Sequence, residues 1–393
     1  MNWTRTIKRM AFIILSAGLL SFPGLVMPEA PAYAAGAAAP ACGSGDHGLL
    51  QELQAKHSGA NAVPLSFTDI QFLSADTGRA AGNGFLIGTS DGGCHFQEIY
   101  EGQWNFRQID FPNNVQGWAL ATVKDGSEIY LIATTDGGSS WKRLSTGGAV
   151  FERVHFTDSK HGFGYSLTSA YYTKDGGASW SKIAMPANTR GAEFTSRNNG
   201  WAVVVVPGTG YQMKKTTDGG VNWRTTLKAS LDYPVGGRVY AQGSQIYALL
   251  YGDSGMSQTS YSLYASSTGG TKWERVIAMD TAGGGPAPGS GPAQHKVGPA
   301  AGKPGNMQLV GNSAAFLLGY SPAGEKVAVG RSYNGGKKWT NQPSVPGYGG
   351  VISFPDAKRG WMAVSGIKQS ALLTTADGGT TWKQKFAFKE TQQ

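Results

Sequence analysis

The chain has 393 residues, a formal net charge of +9 and two cysteines. The charge excess is modest and forms no run, and no basic helix appears, so a nucleic-acid partner is excluded. Two cysteines and scattered histidines lack metal-ligand spacing, which excludes a zinc site; no metal or cofactor is expected.

The N-terminal residues read as an export signal. Arg5, Lys8 and Arg9 form a positive segment, residues 11–20 are apolar, and Ala32, Tyr33 and Ala34 form a small-x-small cleavage site. Residues 1–34 are assigned as a signal peptide on that pattern. Cys42 follows Ala39, Pro40 and Ala41, which is no lipobox, and no later apolar stretch is long enough to cross a bilayer. The expectation is a secreted monomer, extracellular or associated with the cell wall, with no transmembrane span after cleavage. The signal holds three basic residues and one acidic residue, so its removal leaves +7. Secreted cationic proteins meet anionic wall polymers, lipid heads or acidic glycans.

Residues 35–62 read as an N-terminal extension. Residues 46–56 suit one short helix, with Asp46 as N-cap and Leu49, Leu50 and Leu53 on one face. Cys42 and Cys94 are an even pair in an exported chain, which predicts a disulfide tying the extension to the segment around Cys94. Closing a loop of that size contributes about 3–4 kcal/mol in the chain-entropy account.

From Thr89 onward one phrase recurs seven times. The copies around Asp136, Asp175, Asp218 and Asp377 read Thr-x-Asp-Gly-Gly-x-x-Trp and end in Trp141, Trp180, Trp223 and Trp382. Three copies are worn. The one at Asp91 ends in Phe96, and Thr268 and Asn334 fill the Asp slot before Trp273 and Trp339. A second phrase, an aromatic followed six residues later by Gly and an aromatic, precedes the boxes: Phe111 with Gly117 and Trp118, Phe156 with Gly162 and Phe163, Phe194 with Gly200 and Trp201, Phe354 with Gly360 and Trp361. Phe72 and Gly78 keep the spacing, but Arg79 stands in the aromatic slot.

Each unit reads as four short strands, A to D. In the third unit they cover 153–156, 162–167, 170–173 and 180–184, bounded by Gly, Asp, Asn and Ser. Asp-Gly and Gly-Gly suit the tight C–D turns because positive φ costs glycine nothing. Successive Asp slots lie 39 to 66 residues apart, which is the period of propeller blades. The expected fold is therefore all-β: a seven-bladed β-propeller over residues 63–390, with four-stranded antiparallel blades closed in a ring. Residues 63–67 are expected to add an edge strand and help close it. The longest gap contains residues 281–304, a Gly/Pro/Ala-rich insert expected to be a flexible excursion.

The phrases resemble the Asp-box, or BNR repeat, of sialidases, xyloglucan-degrading enzymes, sortilin-type receptors and the photosystem II stability/assembly factor family. The paired signature in each unit is most similar to that last family and its BNR-like bacterial relatives. The resemblance covers nearly all of the chain after the extension. It implies that the boxes are scaffold, on the face opposite any binding site, and that the protein is a non-catalytic binding or assembly scaffold. In that frame Asp91, Asp136, Asp175, Asp218, Thr268, Asn334 and Asp377 are structural.

Binding residues then fall on the D–A and B–C loops. The D–A candidates are Trp104, Arg107, Arg153, Arg190, Asp232 and Tyr233; the B–C candidates are Lys124, Tyr211 and Lys368. Arg107 and Arg190 each stand four residues before the strand-A aromatic, and an arginine pair at a channel mouth suits a carboxylate or phosphate. The partner is expected to be a protein client or an anionic wall or glycan ligand. A glycan-binding lectin is the alternative, with Trp104, Tyr233 and Tyr348 as stacking aromatics. A sialidase-like glycoside hydrolase is another, although Asp125, Asp232, Asp253 and Glu325 match no catalytic motif. No phosphate loop, His-Glu-x-x-His or Gly-x-Ser-x-Gly elbow is present.

Overall fold

Runs of aromatic and β-branched residues, cut by glycine turns, fold as antiparallel strands throughout the residues that the computed structural model describes: 48–56, 65–366 and 369–389. One helix, α1 (Leu49–Lys56), precedes them. The first sheet has six strands: β1 (Phe67–Phe72), β2 (Gly78–Thr89), β3 (Gln97–Asp110), β4 (Gly117–Val123), β5 (Ile129–Thr134) and β6 (Lys142–Arg143). The second holds β7 (Arg153–Phe156), β8 (Gly162–Tyr165), β9 (Ala170–Thr173) and β10 (Ser181–Ile183). The third holds β11 (Thr189–Phe194), β12 (Gly200–Val206), β13 (Gly210–Thr216) and β14 (Arg224–Ser230), and the fourth β15 (Gly236–Gln242), β16 (Gln245–Ser254), β17 (Thr259–Ser266) and β18 (Glu274–Met279). In the fifth, β19 (Lys303–Val310), β20 (Ala314–Ser321) and β21 (Lys326–Ser332) are joined by β22 (Thr340–Asn341) and β23 (Val345–Pro346), both on β21. The sixth holds β24 (Gly349–Ser353), β25 (Gly360–Ser365), β26 (Gln369–Thr375) and β27 (Lys383–Lys389).

Six sheets stand where seven four-stranded blades were expected, and this corrects the blade count. The cause is β3. Its first half pairs with β2, as in Gly88↔Gln97, and its second half with β4, as in Asp110↔Trp118. The chain passes from one repeat to the next without a turn, so two repeats share one sheet.

Neighbouring repeats meet through the second phrase. Trp118 stacks on Phe156 with centroids 3.7 Å apart, Phe316 on Phe354 at 3.8 Å, and Trp361 on Phe72 at 4.2 Å. The Trp361 contact joins the last sheet to the first and closes the ring. Arg79 makes the same joint with different chemistry. It lies 4.2 Å above the Phe111 ring and donates to Gly137 O at 3.0 Å, as Trp118 Nε1 donates to Gly176 O at 2.9 Å. The glycine of the phrase is sterically required: a Cβ on Gly117 would stand 2.3 Å from the Phe111 ring.

Side-chain amides stitch the A strands together. Gln71 accepts from Phe111 N at 2.7 Å and donates to its carbonyl at 3.1 Å; Gln108 does the same to Val154, and Asn306 to Ile352. Each acts as an extra peptide group between strands that do not themselves pair. At the closure, Ser353 and Ser370 hydroxyls accept from Phe72 N at 2.9 Å and Phe67 N at 3.0 Å.

Two further expectations need correction. Residues 65 and 66 form no strand; β1 begins at Phe67, while residues 63 and 64 lie outside the described residues. The insert is packed rather than a free excursion. His295 pairs with β18 through Val276 O and Ala278 N, and Ala287, Pro299 and Gly298 are buried. In α1, Leu49 and Leu53 are buried in a core shared with Phe386 and Phe388, while Asp46 lies outside the described residues.

Candidate functional site

The recurrent turns are closed hydrogen-bond units. Thr173 Oγ1 accepts from Gly177 N at 2.9 Å and donates to Asp175 Oδ1 at 2.8 Å; Oδ1 also accepts from Ser179 N at 2.9 Å. The Ser179 hydroxyl, donating to Oδ2, holds the Asp175 carboxyl down at about 2. Asp218 and Asp377 are likewise held at about 2, chiefly by the N–H groups of Asn222 and Thr381. In the worn turns, Thr268 Oγ1 still accepts from Lys272 N at 2.9 Å and Asn334 Oδ1 from Lys338 N at 2.8 Å. They lack only the second carboxylate oxygen. In the first turn, Asp91 takes both the N–H and the ring Nδ1 of His95. Both oxygens of Asp175, Asp218 and Asp377 accept hydrogen bonds from their own turns. Among the described residues, no group of three His, Cys, Asp or Glu is placed to hold a metal.

At the opposite strand ends a cleft of about 300 Å³ opens between the second, third and fourth sheets. Arg153, Arg190 and Arg238 line it, from the starts of β7, β11 and β15. Arg190 is carried by a bulge in which two residues lie between Thr189↔Val204 and Ala192↔Ala202. Bulges of this kind re-aim a side chain. The strands approach closely here: a Cβ on Gly191 would stand 2.1 Å from Gly237 O. Arg153 is anchored, with Nη2 2.8 Å from both Glu193 Oε2 and Ala192 O and its guanidinium 3.9 Å above the Tyr165 ring. Arg190 spends one N–H on Thr189 O at 2.9 Å. Arg238 is exposed, and its side chain has no hydrogen bond or ion pair among the described residues. Burial raises the phenols of Tyr165 and Tyr251, which also line the cleft, so both stay neutral. The rim is apolar, with Leu167 and Val235 more than half exposed at 55% and 56%. The cleft thus offers fixed and free guanidinium groups beside an oily edge.

The sequence-derived candidates divide. Arg153 and Arg190 meet in the cleft; Arg238 was missed, because nothing in its local sequence marks it. Arg107 also sits at a bulge, between Phe106 and Gln108, but it is exposed and does not line the cleft. Trp104 is corrected: it is 9% exposed and packs edge-on to Tyr130. Tyr211 is also buried, its hydroxyl accepting from Val235 N at 2.7 Å and Gly236 N at 3.1 Å and donating to Tyr251 O. Its hydroxyl thereby ties together Val235, Gly236 and Tyr251 of the cleft wall. Asp232 and Tyr233 are exposed on the loop leading to Val235, Lys124 is exposed, and Lys368 lies outside the described residues. Tyr348 donates to Glu325 at 3.1 Å. Cys94 is disulfide-bonded, and Cys42 lies outside the described residues.

Sheets arranged in a closed ring, each joined to the next through its inner strand, define a β-propeller. No protein-family model matches the chain, and comparison with curated proteins gives no match. Among solved structures, the chain is similar to YCF48 bound to a D1 peptide, with a TM-score of 0.51 at 15% identity over 80% of this chain and 92% of that one. YCF48 from Cyanidioschyzon merolae gives a TM-score of 0.51 at 15% identity, over 80% and 96% of the two chains. The β-propeller domain of the Trilobed protease from Pyrococcus furiosus gives 0.50 at 10% identity, over 84% and 98%. At such identities the likeness establishes the fold. Among the described residues, no helix is long and apolar enough to cross a membrane.

Proposed function

We propose that the chain is an exported, non-catalytic scaffold that binds a protein client through an anionic group seated in the arginine cleft. The observation that carries this reading is the pairing of an anchored Arg153 with the unpaired Arg238 and the half-free Arg190 in one cleft. Guanidinium groups take carboxylate or phosphate bidentately, and a free one has no internal partner to give up. The apolar rim favours a peptide over a sugar. The YCF48 structure with its D1 peptide supports a peptide on a propeller of this kind. In this reading the recurrent turns are Asp-boxes of the BNR type, and Cys42 is the partner of Cys94. The signal peptide at residues 1–34 carries the chain out of the cytoplasm.

The test is an array of acidic and carboxylate-ended peptides, with anionic glycans and wall polymers alongside, probed with residues 35–393. Binding to acidic peptides that falls at least tenfold in Arg190→Ala and Arg238→Ala is expected. Asp175→Ala should lower thermal stability yet leave that binding intact. Turnover of a glycan, or peptide binding indifferent to both arginines, overturns the reading.

A further inference from the structure

The insert is an occupant of the fold. It leaves β18, lays Pro288 against β17 and Ala287 against Arg275 of β18, runs beside β18 at His295 and reaches the fifth sheet at Pro299. Its bonds share one character: the sheets supply most of the donors and the segment supplies carbonyls. Ser260 Oγ donates to Gly284 O at 2.6 Å and Ser262 Oγ to Pro288 O at 2.6 Å. Arg275 donates from Nη2 to Ala287 O at 3.1 Å and from Nη1 to Gly291 O at 3.2 Å, and Asn341 Nδ2 to Val297 O at 3.3 Å. A proline-containing segment is poor in N–H groups, so donors that read its carbonyls are the chemistry that holds it.

The same position recurs elsewhere in the ring. Arg275 stands opposite Tyr264, two residues after the turn tryptophan; Arg143 stands opposite Ile132, two residues after its own. By that register Tyr130 takes the place of Ser262, and Glu128 that of Ser260. No segment of the described chain fills this second position. A groove of about 730 Å³ opens there instead, lined by Glu128, Tyr130, Arg143, Leu144 and Val150. The Arg143 guanidinium lies 3.8 Å above the Tyr130 ring and 3.7 Å from Glu128, with its side chain 61% exposed. Val150 is 65% exposed at the groove edge.

We propose that this groove binds an extended, proline-containing peptide segment of a partner, with Arg143 in the place that Arg275 takes on the insert. Arg143 donates to the peptide carbonyls, and Tyr130 and Val150 give its proline rings an aromatic and an apolar wall. Glu128 is an acceptor where Ser260 is a donor, so the groove takes an N–H at the place where the insert offers the Gly284 carbonyl. None of these residues belongs to the arginine cleft, and the inference does not depend on the function proposed for it.

The probe is a C-terminally amidated synthetic peptide with the sequence of residues 285–297, which begins after Gly284 and so brings N–H groups of its amino terminus to Glu128, titrated calorimetrically into the full chain, with a second peptide in which its prolines are alanine. Saturable binding is expected, at least tenfold tighter for the proline form. Arg143→Ala, exposed enough to fold normally, should weaken it at least tenfold, while Arg238→Ala leaves it unchanged. Absence of binding, or equal binding by a folded Arg143→Ala, overturns the proposal.

Discussion

Arg79 is a buried cation whose fixing neighbours include the Phe111 ring beneath, Gly137 O and Asn114 O. Truncation to alanine removes charge-assisted bonds and ring contact together, and should cost about 2–4 kcal/mol in thermal melts. Arg79→Trp should recover part of that loss, because an indole at this joint stacks and donates in the same directions, as Trp118 does. If tryptophan is no better than alanine, the equivalence of the two joints fails. The spacing of Phe72 and Gly78 was legible from the pattern, but the role of Arg79 was not: a motif records residue type, whereas the joint needs only a flat group over the neighbouring ring. Asp69 makes a different prediction. It accepts from Ile109 N at 2.8 Å and Ile70 N at 2.9 Å, and burial, with the Asp110 charge adding, pushes its carboxyl up to about 7. A group that holds its proton more tightly when folded contributes stability in full below its unfolded value, about 3.9, and loses it as pH rises toward the folded one. Asp69→Asn should therefore flatten the dependence of Tm on pH between about 4 and 7. An unchanged slope would place the titration elsewhere.

Among the elements, β3 and the insert are where local reasoning and the fold part company. Strand positions in the third repeat were readable because turn glycines and strand residues act within a few positions: β7 and β9 fall at 153–156 and 170–173 as expected. The continuity of β3 was not readable. Gly102 lies between its two halves and invites a turn, yet β2 on one side and β4 on the other keep the strand extended. The insert misled by composition. Gly, Pro and Ala argue against a core of its own, but they do not prevent docking on a surface that supplies the donors. Its glycines serve the contact: a Cβ on Gly289 would stand 1.9 Å from the Tyr264 hydroxyl. Lys296 is exposed within this segment. A docked strap should still resist trypsin, because cleavage requires local unfolding of the pairing at His295. Limited proteolysis of the native protein is expected to leave the Lys296 bond uncut while sites in a free linker are lost early. Rapid cutting there would restore the flexible reading.

At the scale of the ring, the decisive joint is the one that the covalent chain does not span. Phe72 and Trp361 stack at 4.2 Å, Ser353 and Ser370 hold the β1 backbone, and Phe67 packs on Phe386 and Phe388 with centroids 5.9 and 5.1 Å away. Chemically this joint copies the internal one between Trp118 and Phe156. Topologically it differs. When an internal joint loosens, its two sheets remain neighbours along the chain. When the closing joint loosens, the first and last strands are held by nothing else among the described strands, and the edges of both sheets are exposed. Trp118→Ala and Trp361→Ala remove similar buried rings and should each cost about 3–5 kcal/mol. Their hydrogen-exchange signatures should differ. In Trp361→Ala, amides of β1 and β24–β27 should exchange far below the global opening energy, as a sub-global unit, while the middle sheets stay protected. In Trp118→Ala the loss should spread through the first and second sheets together. If Trp361→Ala exchanges uniformly, the ring opens only by unfolding as a whole, and its closure is as cooperative as any internal joint.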